Sequence, residues 1–181
     1  AEQLYQLYLA RGVQATTAIE GNTLTEEQVQ QQIEGKLQLP PSMAYQGQEV
    51  KNIVTACNTI LESVIAGKPA ELTVALIKSF NGLVLAGLPL GDAVAPGAIR
   101  KTSVGVGSYR GAPAEDCEYL LERLCSFLKA VRERESGLDR VSISVLLAVT
   151  AHLYLAWIHP FGDGNGRTAR LVEFLLLLDG G

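Results

Sequence analysis

The stretch His159–Arg170, HPFGDGNGRTAR, places a histidine, an aspartate, several glycines and two arginines directly before the apolar run LVEFLLLL. Pro160 has no N–H and disfavours helical geometry in the residue before it, so a helix reading ends near His159 and leaves the imidazole at a helix-to-loop junction. The loop Gly162-Asp163-Gly164-Asn165-Gly166 alternates glycine with short polar residues. Such a loop turns successive N–H groups into one concave nest and opens onto a helix N-terminus, and both features attract phosphate. Arg167 and Arg170 are three apart and share a face of that helix. In its first turns they oppose the helix dipole by roughly 0.3–1 kcal/mol each. That cost disappears if the site holds a polyanion, because guanidinium forks match phosphate oxygens bidentately. Asp163 beside a phosphate nest is a natural Mg²⁺ ligand. His159, with an unperturbed pKa near ~6.5, can take a proton from an attacking hydroxyl. Base, metal ligand, nest and cationic clamp together describe nucleotide chemistry.

Rival patterns fit less well. A Walker A loop needs a lysine that is absent. An EF-hand fails because Arg167 and Phe174 stand at the third and last ligand positions. A dinucleotide fingerprint follows a strand, and this loop follows a helix. The remaining alternative is a structural loop whose arginines are ordinary salt-bridge partners.

Two further segments carry polar residues with a purpose to explain. TTAIEGN, Thr16 to Asn22, puts Glu20 at a helix C-terminus, where the dipole prefers cations. An arginine from elsewhere in the fold would relieve it; a solvated acid at an Asn/Gly turn is the alternative. AIRKTSVGVGSYRGAP alternates β-branched, aromatic and glycine residues over 97–113, which suits a small hairpin. Its edge, around Thr102, Ser103, Val104, Gly105 and Val106, can align a target segment by β-augmentation, or the hairpin is a mere connector. Lys101, Tyr109 and Arg110 are equally readable as ligand contacts or as a solvated hairpin. His152 and Trp157 read as core residues.

The elements that must hold these residues are mostly helical. Helix-period spacing or helix punctuation marks segments at about 2–19, closed by Gly21, and 25–34, opened by the capping box Thr25-Glu26-Glu27-Gln28. Others fall at 43–66, 71–86, 114–134, 141–157 and 165–178. In the first, Leu4, Leu7, Tyr8, Arg11 and Ala15 mark the repeating face. The expected fold is an all-α bundle interrupted by one small β-hairpin, a single compact domain. With 181 residues, 48% of them hydrophobic and 19% charged, the chain can bury a real core. A net charge of −4 gives no electrostatic case for nucleic acid or for an acidic membrane surface. No signal peptide is visible, and the apolar runs Val145–Ile158 and Leu171–Leu178 read as buried helices rather than membrane spans. Cys57, Cys117 and Cys125 show no metal spacing and read as inert thiols of a reducing, cytoplasmic compartment. The chain opens without methionine and stops at Gly180-Gly181, as an excised domain would.

HPFGDGNGRTAR resembles the Fic family motif HPFx(D/E)GNGRxxR without a departure, and the flap hairpin and N-terminal motif appear in the family's order. Fic proteins are all-α domains that typically transfer AMP from ATP to a Ser, Thr or Tyr hydroxyl of a target protein. The resemblance implies His159 as general base, Asp163 as Mg²⁺ ligand, and Gly164, Asn165 and Gly166 as the anion hole. It implies Arg167 on the phosphates, Arg170 on the γ-phosphate and Phe161 as the loop's core anchor. TTAIEGN is similar to the family's inhibitory motif (S/T)xxxE(G/N), with Thr16, Glu20 and Gly21 in the defined positions. Residues 1–24 would then be an inhibitory unit whose Glu20 pairs with Arg170, on a core of residues 25–181. Residues 102–106 correspond to the target-binding flap, although Ile99-Arg100 replaces the usual aromatic-Arg pair. The implied partners are ATP with Mg²⁺ and a hydroxyl-bearing protein, or the chain itself; oligomeric state stays open. De-AMPylation, transfer of another nucleotide or phosphate-containing group, and a non-catalytic nucleotide-binding module are the alternatives.

Overall fold

Short polar residues start three of the described helices and glycines finish several of them. In the computed structural model, which describes residues 2–67, 71–106, 109–134 and 137–180, Thr25 accepts from the Gln28 N–H and closes a reciprocal capping box at the start of helix α2 (Glu26–Ile33). Thr73 accepts from the Leu76 N–H at the start of α4 (Val74–Val84) and Asp139 from the Ser142 N–H at the start of α6 (Arg140–Ile158), each a simple cap. Gly67, at φ 66°, follows α3 (Ala44–Ile65) in the left-handed conformation that ends helices. The remaining helices are α1 (Glu2–Ala18), α5 (Cys117–Glu133) and α7 (Asn165–Leu178).

Helix α7 lies at the centre. It packs on α6, α4, α3 and α1, and buries Asn165, Arg167, Thr168, Ala169, Leu171, Val172, Leu175 and Leu176. The elements around it supply the rest of the core, with Val50, Ile53, Ile77, Phe80, Leu121, Leu147 and Leu155 all at 3% exposure or less. Between α4 and α5 the chain makes a two-stranded antiparallel hairpin, β1 (Gly105–Val106) and β2 (Tyr109–Arg110), pairing Gly105 with Arg110 and Val106 with Tyr109. An isolated bridge joins Ile99, upstream of the hairpin, to Phe161 in the loop between α6 and α7. The all-α fold with one small hairpin is thus as expected.

Three expectations need correction. Among the described side chains of α1, which leave out Leu4, the buried positions are Ala10, Val13 and Thr17, whereas Tyr8 is 62% exposed and Arg11 and Ala15 face outward. Tyr8 and Ala15 instead border a cavity of about 540 Å³ between α1, α3 and α7. Trp157 is half exposed, set edge-on to Tyr154 with ring centroids 5.4 Å apart. It belongs to an outward face of α6 with Val141, Val145, Val149 and Leu153, while Leu147, Ala148, Ala151, Leu155 and Ile158 face the bundle. A helix apolar on all sides gives periodicity no way to choose the buried side. By length and composition alone α6, with mean hydropathy 1.9, is apolar enough to cross a membrane, contrary to the reading of the apolar runs. Here it packs between α5 and α7.

Candidate functional site

The loop between α6 and α7 is built by its own side chains. His159 caps α6, donating its N–H to the Leu155 carbonyl at 2.9 Å, and holds φ 51°, the one non-glycine residue with positive φ among those described. That left-handed geometry costs an L-residue roughly 1–2 kcal/mol, so something must hold it. The holder is Arg100, at 6% exposure. Its Nε donates to the His159 carbonyl at 2.7 Å and its Nη1 to the Thr102 carbonyl at 2.8 Å. Nη2 reaches the carbonyls of Ala112 at 2.5 Å and Ile158 at 3.3 Å. The Arg100 N–H donates to the Pro160 carbonyl at 3.0 Å. One buried cation therefore ties the base of the hairpin, the end of α6 and the histidine backbone together through neutral peptide groups. Tyr109 adds a second tie, donating its hydroxyl to the Trp157 carbonyl at 2.6 Å.

Beyond the proline, Phe161 is 1% exposed and anchors the loop in the core, a burial that contributes about 1.5–3 kcal/mol. Asn165 accepts from the Phe161 N–H at 2.9 Å and donates to its carbonyl at 2.8 Å, closing the loop on itself. Asn81 on α4 is fully buried and donates to the Asp163 carbonyl at 2.9 Å and to Thr168 Oγ1 at 3.3 Å. Gly164 sits at φ 73° with this amide so close that an added Cβ would lie 3.0 Å from its nitrogen. Only glycine fits there without strain. Asp163 Oδ1 accepts from the Gly164 N–H at 2.5 Å and from Arg167 Nη2 at 3.2 Å, with its side chain 48% exposed.

This loop delivers α7 with its N-terminus open. Gly164 provides no side-chain cap and the first turn carries no acid, so the first N–H groups of α7 point forward without an intrahelical partner. An anion is already held there. A Cβ on Gly166 would meet Glu20 Oε1 at 2.6 Å, so the carboxylate rests on the glycine face. Arg170 Nη2 donates to the same oxygen at 2.5 Å and to the Thr16 carbonyl at 3.2 Å, and Arg170 Nε donates to Thr16 Oγ1. Gly21 follows at φ 92°, where the chain turns away from α1. Thr16, Glu20, Gly166 and Arg170 are therefore brought together from the two ends of the chain.

Burial pushes the His159 imidazole below its usual value near 6.5, and the Arg100 charge pushes the same way, against the opposing effect of Glu20. A neutral imidazole at neutral pH is the form that accepts a proton. Among the remaining candidates, His152 Nδ1 lies 2.6 Å from Glu173 Oε2, a paired histidine within the bundle and outside the loop. Thr102, Ser103 and Gly105 are exposed along the hairpin, and Val104 accepts from the Gly111 N–H at 3.1 Å. Cys57, Cys117 and Cys125 are free; burial pushes Cys57 up to about 12 and Cys125 up to about 11, as inert thiols require.

Arg100, Asn81 and Glu49 were not singled out for these roles by their sequence context. Glu49 on α3 accepts from Arg167 Nη1 at 2.9 Å, with side chains 12% and 5% exposed. The available signals are a polar residue at core spacing in α3 and α4, and an arginine among β-branched residues.

A Fic/DOC family model matches residues 71–177. The chain belongs to the Fic/DOC family. This Fic domain is 31% identical over 180 residues to the protein adenylyltransferase fic-1 of Caenorhabditis briggsae, covering 99% of this chain and 33% of that protein. It is 30% identical over 166 residues to the protein adenylyltransferase Fic of Drosophila grimshawi, covering 92% and 32%. It thus spans about a third of the length of these curated relatives. Among solved structures, a Fic family protein from Desulfovibrio desulfuricans superposes with TM-score 0.79 at 27% identity, covering 98% of this chain and 50% of that one. Fic-1 from Caenorhabditis elegans gives 0.76 at 26%, covering 99% and 50%.

Proposed function

We propose that this Fic domain transfers AMP from ATP to a hydroxyl side chain of a protein, with α1 and its following turn as a built-in inhibitor. The observation that carries the reading is the Glu20 carboxylate, seated on Gly166 at the open N-terminus of α7 and paired with Arg170. A site that pairs one anion with a guanidinium beside an open helix N-terminus is a site for a phosphate oxygen. The relatives' names, protein adenylyltransferase, support the same chemistry.

In this reading the target hydroxyl oxygen attacks the α-phosphorus, the bond from that phosphorus to the bridging oxygen breaks, and pyrophosphate leaves. His159 takes the hydroxyl proton on its neutral imidazole. The N-terminus of α7 at Asn165, Gly166 and Arg167 neutralises the phosphates, and Arg170 takes the γ-phosphate once Glu20 lets go. Arg167 Nε is buried without an acceptor, which fits a phosphate oxygen arriving beside it. Asp163 is a half-exposed carboxylate at the nest, a donor that suits Mg²⁺ arriving with the nucleotide's own oxygens. The ion would supply charge neutralisation on the phosphates. The hairpin edge around Thr102–Val106 would align the target segment.

The test is incubation of wild type and Glu20→Gly with labelled ATP, GTP or CTP and Mg²⁺, followed by mass spectrometry of the chain. Glu20→Gly is expected to self-modify with AMP several-fold faster than wild type, and His159→Ala in that background not at all. Equal rates with and without Glu20 would remove the inhibitor; modification only from GTP or CTP would reassign the donor.

A further inference from the structure

One carboxylate touches both halves of this arrangement. Glu49 Oε1 accepts from Arg167 Nη1 at 2.9 Å, and Oε2 accepts from Asn22 Nδ2 at 2.9 Å. Asn22 follows Glu20 by two residues, is 6% exposed, and also donates to the Gln46 carbonyl at 3.0 Å. Its Oδ1 accepts from the Leu24 N–H at 3.0 Å, and the Thr23 N–H and hydroxyl donate to Gln46 Oε1 at 2.9 and 3.1 Å. The turn that fixes where Glu20 points is therefore fastened to α3 beside the first arginine of the nucleotide loop.

We infer that Glu49 is a positioning residue that couples the inhibitory turn to Arg167, so that the hold on Glu20 depends on how Arg167 is engaged. The inference rests on the inhibitory reading above. A carboxylate this buried tolerates its charge only while both sides are satisfied, because removing one partner leaves it undercompensated. Arg167 supplies the charge on one side and Asn22 a neutral donor on the other. If Arg167 turns toward phosphate, Glu49 loses its cation and is drawn toward water, and Asn22 loses its acceptor. Nucleotide capture and release of the Glu20 turn would then favour one another, a reciprocal coupling between two sites.

The experiment has two arms on the intact chain. Hydrogen–deuterium exchange is measured at residues 19–24 for wild type, Glu49→Gln, Arg167→Ala and the double variant, each first shown to be folded by circular dichroism. Expected is faster exchange at 19–24 in both single variants, about threefold to tenfold from the loss of one hydrogen bond, with no further gain in the double variant. Arg167→Ala exchanging like wild type at 19–24, or the two effects simply multiplying, overturns the coupling. In the second arm Asn22→Ala, which leaves Arg167 untouched, is assayed for self-modification with Glu20 present and with Glu20→Gly. A several-fold rise only where Glu20 is present supports the inference; equal effects in both backgrounds overturn it. Failure of all forms to modify themselves would sink the transfer reading alone, since the exchange arm decides the coupling without activity.

Discussion

Arg100→Met isolates what holds His159, the proposed general base, in place. The methionine keeps most of the apolar stem and removes every guanidinium hydrogen bond to the carbonyls of Thr102, Ala112, Ile158 and His159. All four carbonyls lose this donor; the Ile158 carbonyl retains the Ala112 N–H at 3.3 Å, so three are left without one. Each buried carbonyl left unsatisfied costs about 1–3 kcal/mol. Thr102 is exposed, so water can replace its share; two carbonyls remain, and their sum is about 2–6 kcal/mol, a large part of a typical domain's stability. Urea unfolding at matched slope reads it. Activity supplies a second, signed measurement. Arg100's charge helps keep the His159 pKa low, and without it the value rises. The base must be neutral to work, so the acid limb of the kcat/KM profile moves to higher pH and the loss of rate is greatest on the acid side. Arg100→Lys keeps the charge but only part of the carbonyl network, so its limb should stay nearer wild type while stability still falls. A Met variant that unfolds within about 1 kcal/mol of wild type, with an unmoved acid limb, would refute the role given to Arg100.

Two further outcomes follow from the site. Gly164→Ala must adopt φ 73° and bring its Cβ to 3.0 Å from the Asn81 amide. A loss of about 2 kcal/mol or more in urea unfolding is expected from the left-handed strain and the displaced buried amide, together with weaker ATP binding by calorimetry. The thiols should be nearly silent: with Cys57 raised to about 12 and Cys125 to about 11, alkylation by iodoacetamide at neutral pH should be slow in the native chain. It should become fast for every cysteine after denaturation.

The legible parts of this molecule were those written locally. The capping box at Thr25 marks a helix start within a few residues of what it bonds, and HPFGDGNGRTAR carries the proposed base, nest and clamp in one segment. Glu20 was harder, because its partner lies 150 residues away, and only the match to a family motif connected the two ends. Arg100 and Glu49 reach partners 59 and 118 residues distant; no motif announces Glu49, and the pair Ile99-Arg100 before the flap does not say what its arginine bonds. Nothing in an isolated arginine says that it solvates carbonyls instead of meeting an acid. The same limit explains α1 and α6, where several faces are apolar and only the packed neighbours decide which is buried.

The strength of the proposed inhibition cannot come from the Glu20–Arg170 pair alone. Its side chains are 26% and 19% exposed, and an ion pair in such surroundings contributes on the order of 1 kcal/mol. That is a factor of about five, too little to keep out a triphosphate offered well above its dissociation constant. What raises the barrier is that Glu20 cannot leave as a side chain only. Thr16 grips the same guanidinium, Ala10, Val13 and Thr17 bury α1 against its neighbours, and Asn22 fastens the following turn to α3. Displacing the carboxylate from Gly166 by more than a rotamer change means loosening some of these contacts together. The proposed inhibitor is therefore as strong as its attachment, and the carboxylate of Glu49 is where that attachment meets Arg167.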